Sequence, residues 1–209
     1  MKRALDLLLA VLLLIPLVPV LLFIGLWIRF DSPGPIFYRG VRVGRDGRRF
    51  RIFKFRTMVM NADRIGGPST ADDDPRITRV GWMVRKHKLD ELPQAINVLR
   101  GDMSFVGPRP EVPFYVDMLK PEERAILTVR PGITDWASLR FSDEGEIFAG
   151  AADVQKEYME KVRPEKIRLQ LEYVRRHSFA VDFLIMARTA TLLFGRLLRR
   201  RKRPEVFRK

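Results

Sequence analysis

Residues 7–28, LLLAVLLLIPLVPVLLFIGLWI, form an uncharged run. As a helix this run would be roughly 33 Å long, enough for a hydrocarbon layer of ~30 Å. A cleaved leader would show a shorter apolar core and a small-residue cleavage site. Here Gly25 is followed by Leu-Trp-Ile-Arg, so the segment is expected to be retained as a membrane anchor. Pro16 and Pro19 stand near its middle, each removing a backbone donor and crowding the preceding turn. Lys2 and Arg3 flank one end, while Arg29, Arg39, Arg42, Arg45, Arg48 and Arg49 follow the other. Basic flanks favour the cytoplasmic side, so both ends prefer the same face. The reading is a re-entrant membrane helical hairpin over 1–30, dipping into one leaflet, against a kinked single span. Asp6, beside Lys2 and Arg3, reads as a local ion pair at headgroup depth.

The remainder of the 209 residues is long enough for one domain with a real core. A formal net charge of +14 calls for a polyanionic partner: nucleic acid, anionic lipid or a phosphorylated small molecule. Cysteine is absent and only His87 and His177 are present, which excludes disulfides and a histidine-built zinc centre. Any metal would be a hard cation held by oxygen, such as Mg2+.

The fold class expected is α+β, mostly helical. A cytoplasmic catalytic domain is expected over 31–178 and opens with a Ser-Pro-Gly-Pro turn. Residues 36–38 and 49–55 then read as short strands of a small β-hairpin around the turn 44–47, displaying Arg49, Arg51 and Lys54 among Phe50, Ile52, Phe53 and Phe55. Residues 61–80 read as an exposed loop, in which Asp72, Asp73 and Asp74 are solvated rather than metal-binding. Helices are expected over 81–88, over 92–99 with Gly101 as the stop, over 121–129 and over about 150–176. Residues 179–209 read as an amphipathic interfacial helix whose basic cluster, Arg196 to Arg203, is drawn to anionic membrane lipids.

Within RKHKLDELPQ (85–94), Asp90 and Glu91 stand amid Arg85, Lys86, His87 and Lys88. Pro93 suits a first helical turn, which puts Asp90 at or beside an N-cap. That is ordinary helix-start chemistry. The same placement suits a nucleophile, because helix amides and nearby Arg85 and Lys88 favour the ionised carboxylate that attack on phosphorus requires. Adjacent acids diverge by about 100° on a helix, so one can attack while the other positions. Their adjacency argues against a glycosidase pair, whose acids flank a sugar from opposite sides. Downstream, Pro108-Arg109-Pro110 restricts the backbone around an arginine whose planar fork matches phosphate oxygens. Arg130 before Pro131-Gly132 repeats the theme. RRFRIFKFR (48–56) has the look of a single-strand-binding surface, but such a surface has no need of Asp90, and nucleic acid is not expected as a partner.

KFRTM (54–58), LDELPQ (89–94), NVLRGDMSFVGPRP (97–110) and RPGIT (130–134), in this order after a proline-broken apolar helix, closely resemble the monotopic phosphoglycosyl transferases, bacterial sugar transferases that act on polyprenyl phosphate. The resemblance covers roughly residues 1–190. It implies transfer of a sugar-1-phosphate from a UDP-sugar donor to undecaprenyl phosphate, with release of UMP, at the cytoplasmic face of the bacterial cytoplasmic (inner) membrane. It implies Asp90 as the nucleophile and Mg2+ contact and Glu91 as its assistant. It places phosphate-binding roles on Arg85 and Arg109, and on the basic residues of the motifs, Lys54, Arg56 and Arg130. Two departures stand out, Gly40 after Phe-Tyr-Arg and Asp135-Trp-Ala-Ser-Leu-Arg-Phe after RPGIT, both where sugar or uridine contacts would differ. The chain is expected to be the minimal catalytic form, with room for a homodimer through its C-terminal helix. The alternatives are a non-catalytic membrane-anchored scaffold and a membrane phosphohydrolase.

Overall fold

The structure, a computed structural model, describes residues 1–198. The basic cluster that begins at Arg196 lies outside the described residues from 199 onward.

The apolar run forms one helix, α1 (Lys2–Asp31), that continues through Pro16 and Pro19. Its two ends pack on the same body. At the start, Ala10 joins a core with Ile52, Val98 and Met103. At the end, Ile24 and Ile28 pack with Phe55, Val80 and Val84. No residue from 11 to 23 is buried. The local ion pair expected at Asp6 does not form, because each of the three charges finds a partner in the body. Asp6 accepts from Ser104 Oγ at 3.0 Å and Phe105 N at 3.1 Å. Arg3 donates to the carbonyls of Val98 and Leu99, and Lys2 pairs with Asp182.

The hairpin is present but splits into two ladders. Strand β1 (Phe37–Tyr38) pairs antiparallel with β4 (Lys54–Phe55), and β2 (Val41–Val43) with β3 (Arg49–Arg51), around a 3-10 turn at Arg45–Gly47. Residues 41–43, unassigned from sequence, supply the second ladder.

The segment 61–80 departs from the exposed loop expected of it. It holds a short helix α2 (Ala62–Ile65) and buries Ala62, Ala71, Ile77 and Val80. Helix α3 (Arg79–Lys86) starts two residues earlier than expected because Thr78 caps it, accepting from Gly81 N at 3.0 Å. Gly81 lets α3 lie against the segment that follows β4: a Cβ there would stand 2.0 Å from the Thr57 carbonyl oxygen. After a 3-10 turn at Leu89–Glu91 comes α4 (Gln94–Arg100), stopped by Gly101 at φ +88°.

Strands β5 (Ser104–Val106) and β6 (Gly132–Thr134) pair in parallel, joining two motifs far apart in sequence. Between them lie α5 (Pro113–Asp117) and a 3-10 segment, Pro121–Thr128. Short helices α6 (Trp136–Arg140), α7 (Glu144–Ile147) and α8 (Val154–Glu157) follow. A π-turn at Tyr158–Val162 then leads into α9 (Arg163–Arg176). Helix α10 (Phe179–Leu198) ends the described chain, with Phe179, Phe183, Leu184 and Phe194 exposed. The molecule is thus a mostly helical α+β fold of small two-stranded sheets with one long apolar N-terminal helix.

Candidate active site

The site gathers where β4, the Leu89–Glu91 turn and the loop after β5 converge. Asp90 and Glu91 lie in the 3-10 turn rather than at the cap of α4, where Pro93 stands, so neither is a capping acid. Lys88 enters the turn in the left-handed region, at φ +56°.

Glu91 is fully engaged. Lys54 Nζ donates to Oε1 at 2.8 Å, Arg109 Nη1 to Oε2 at 3.1 Å, and Arg109 Nη2 also to Oε1. Burial pushes the Glu91 carboxyl up, but the charges of Arg109 and Lys54 more than offset it and hold the group well below the usual carboxylate range. Asp90, buried, has an Oδ1 without a hydrogen-bond partner. Burial raises its pKa, Lys54, Arg85 and Lys88 act in the opposite sense, and the neighbouring Glu91 raises it further. One carboxylate of the pair is therefore a fixed anchor for two cations, and the other is left open.

Arg109 is held at three levels. Pro108 and Pro110 restrict its neighbours, its backbone N donates to Asp135 Oδ2 at 3.3 Å, and its guanidinium forks onto Glu91. Gly107 and Gly132 allow the close approach this requires: a Cβ on Gly132 would lie 2.1 Å from Gly107 N. Lys54, on β4, is shared electrostatically by both carboxylates, and burial is the main cause lowering its own pKa.

Lys54, Arg109, Asp90 and Glu91 thus come together, with Arg85 near enough to act on Asp90. Two other motif arginines are placed elsewhere. Arg56, buried, donates to the carbonyls of Ser32 (2.8 Å) and Pro33 and so clamps the chain as it leaves α1. Arg130 donates from Nε to the Gly101 carbonyl at 3.1 Å, at the far end of α4. Both side chains offset carbonyls that the local turns leave exposed.

Sequence reasoning gave no positioning role to two residues that build the site. Asp135, fully buried, caps α6 by accepting from Ser138 N at 2.6 Å and also holds the Arg109 backbone. Its signal was the Asp-x-x-Ser spacing at a helix start. Asn97 accepts from Phe53 N at 2.8 Å and donates to the Arg51 carbonyl at 3.0 Å, fixing the strand that carries Lys54 against α4.

The bacterial sugar transferase family model matches residues 1–196. The UDP-N-acetylgalactosamine-undecaprenyl-phosphate N-acetylgalactosaminephosphotransferase of Aeromonas hydrophila is 38% identical over 198 residues, 93% of this chain and 44% of that protein. The UDP-glucose:undecaprenyl-phosphate glucose-1-phosphate transferase of Escherichia coli (strain K12) is 40% identical over 190 residues, 89% of this chain and 38% of that protein. The exopolysaccharide production protein ExoY of Sinorhizobium fredii is 34% identical over 203 residues, 90% of this chain and 83% of that protein. The chain belongs to the bacterial sugar transferase family. It spans less than half the length of the first two relatives.

Proposed function

We propose that this chain is a phosphoglycosyl transferase that moves a sugar-1-phosphate from a UDP-sugar to undecaprenyl (polyprenyl) phosphate and releases UMP, through a phosphosugar ester on Asp90. The observation that carries the reading is the asymmetry of the two acids: Glu91 is consumed by Lys54 and Arg109, while Asp90 keeps a buried oxygen with no partner in a cationic surround. The names of the relatives supply the donor and acceptor classes, with both glucose and N-acetylgalactosamine among the sugars.

In the first displacement an Asp90 oxygen attacks the phosphorus that bears the sugar. The bond to the bridging oxygen breaks, and UMP leaves with that oxygen. In the second, a phosphate oxygen of the lipid attacks the same phosphorus and frees the Asp90 carboxylate. Two displacements at one nucleophile give ping-pong kinetics. A pyrophosphate repels a carboxylate, and Arg85, Arg109 and Lys54 offset that repulsion with charges already in place. Glu91, held ionised, positions Lys54 and Arg109 and is a poor proton acceptor.

Mg2+ fits this site. Asp90 offers a carboxylate that no side-chain hydrogen bond or ion pair claims, and magnesium commonly binds one carboxylate with substrate phosphates and waters. Among the described residues no group of three or more His, Asp or Glu forms an all-protein cage. When bound, the ion would neutralise pyrophosphate charge beside Asp90.

We place α1 as a re-entrant element in one leaflet of the cytoplasmic membrane, with the body on the cytoplasmic face. This reading is supported by Arg3, Asp6 and Ala10 at one end and Ile24, Ile28 and Asp31 at the other all contacting one body. A crossing of ~30 Å would hold those ends on opposite sides. Pro16 and Pro19 lie inside the unburied run between them, where a bend is expected. The exposed Phe179, Phe183 and Phe194 of α10 suit the interface of the same leaflet.

The test is UMP release from UDP-sugars by purified protein, with and without polyprenyl phosphate and Mg2+. Release that needs both supports the proposal. Release without the lipid acceptor would make the protein a phosphohydrolase, and none with any UDP-sugar would make it a scaffold.

A further inference from the structure

Gln94 follows Asp90 by four residues. Leu89–Glu91 form a 3-10 turn, Leu92 and Pro93 keep helical backbone angles, and α4 begins at Gln94, so residues 90, 94 and 97 fall on one side of a near-continuous helix. That side meets residues 51–55. Asn97, one turn beyond Gln94, bonds to Phe53 N and the Arg51 carbonyl there.

Asn97 and Gln94 are both sealed from solvent, at 0% and 1% exposure, yet they differ completely in satisfaction. The Asn97 amide is used at both ends, its Nδ2 also reaching Asp102 Oδ2 at 3.1 Å. The Gln94 amide is used at neither: Nε2 and Oε1 are both buried without a partner. Asp90 Oδ1 is in the same condition. Buried polar groups left unpaired carry a desolvation cost, and natural proteins meet it with an ordered water or a ligand. An amide donor and a carboxylate acceptor four residues apart on one helix face are complementary.

We propose that Gln94 is a positioning residue for the reaction: its Nε2 donates, through one ordered water, to Asp90 Oδ1 and so fixes the rotation of the carboxylate, with the other oxygen turned to the donor phosphorus. This rests on the reading of Asp90 as the nucleophile. The terminal torsion of aspartate is broad, so packing alone does not set it. The attraction of Lys54, Arg85 and Lys88 lowers the energy of the charge without dictating its orientation. A hydrogen bond from a buried, otherwise uncommitted amide does both. Gln94 itself gains or loses no proton and forms no covalent bond.

Q94M keeps the length and approximate volume of the side chain and removes both polar groups; Q94N keeps the amide one methylene further back, a gap that water can fill. The quantities to measure are the single-turnover rate of Asp90 adduct formation without acceptor, the donor KM and the melting temperature. Q94M is expected to slow adduct formation ~10–100-fold, the scale of a small misplacement of a reacting group. Its donor KM should stay within about twofold, as for a residue that orients the nucleophile without touching the donor. Its melting temperature should not fall, and Q94N should recover most of the rate. A wild-type rate in Q94M overturns the proposal. So does a rate loss that tracks lost thermal stability and that Q94N fails to restore, since that outcome describes packing. Turnover by D90N would instead remove the nucleophile reading, and this proposal with it.

Discussion

Two acidic runs, Asp72-Asp73-Asp74 and Asp90-Glu91, look alike in sequence and are treated in opposite ways by the fold. In the outer loop the carboxylates are spent locally. Asp74 takes a fork from Arg76, with Nη2 to Oδ2 at 2.7 Å and Nε to Oδ1 at 3.0 Å, and Asp73 accepts from Gly150 N at 3.2 Å. Asp72 lies against Gly145, where a Cβ would stand 1.9 Å from Oδ1. Burial raises the pKa of Asp74, but the bonds from Arg76 win and lower it. In the inner turn only Glu91 is spent in this way. Asp90 is surrounded by positive charge yet has a buried oxygen that nothing bonds. A count of charges does not separate a structural acid from a reactive one; whether the opposite charges are already committed does.

The sharpest way to break that comparison is to neutralise one acid from each run. D90N should abolish sugar-phosphate transfer, by ~10⁴-fold or more, as loss of a covalent nucleophile does. D74N should leave UMP release near the wild-type rate. Comparable losses in both would erase the distinction between the runs.

Arg109 is next in size. R109K keeps the charge but not the planar fork onto Glu91, and a fall in kcat of ~10–100-fold is expected from steady-state assays.

Stability should then move in opposite directions for the neighbouring acids. The Glu91 pKa is depressed, so its stabilisation is fully present above the unfolded-state value of about 4.5 and is lost as pH falls through the lower folded value. E91Q should therefore cost about 1–3 kcal/mol in denaturant melts at neutral pH, less than a fully sealed pair because Arg109 keeps some solvent contact. The Asp90 pKa is raised, so its ionised form costs stability above the folded value, and that cost vanishes below about 3.8. D90N should melt at a slightly higher temperature than wild type at pH 7 while being inactive. A lower melting temperature would mean that Asp90 is a structural acid after all. D74N should cost about 1–2 kcal/mol in the same denaturant melts, for the lost charged hydrogen bonds.

Much of this was legible in the sequence, for physical reasons that differ by region. The uncharged run reads directly as a long apolar helix because length and hydropathy are local properties. The hairpin around residues 44–47 and the stop at Gly101 are also local. The turn that carries Asp90 and Glu91 could be located, because the motif order is specific, but the division of labour between the two acids could not. Whether an arginine meets a carboxylate or a backbone carbonyl depends on tertiary placement, which is why Arg56 and Arg130 carry the same motif signal as Arg109 and bond elsewhere. The charges of Lys2, Arg3 and Asp6 look self-compensating at that spacing, yet each finds a stronger partner in the body. The 61–80 segment looks polar throughout, and its buried Ala62, Ala71 and Ile77 are too scattered to show a period. The parallel pairing of β5 with β6, which aligns the two Pro-rich motifs, leaves no local trace at all.

The most direct test is intact-protein mass spectrometry after brief incubation with a UDP-sugar and Mg2+ in the absence of lipid acceptor, followed by peptide mapping. The expected result is the added mass of one sugar phosphate, confined to the peptide containing Asp90, absent in D90N and discharged when polyprenyl phosphate is supplied. UMP formation that requires both substrates together, with the protein mass unchanged at every time point, would contradict the account.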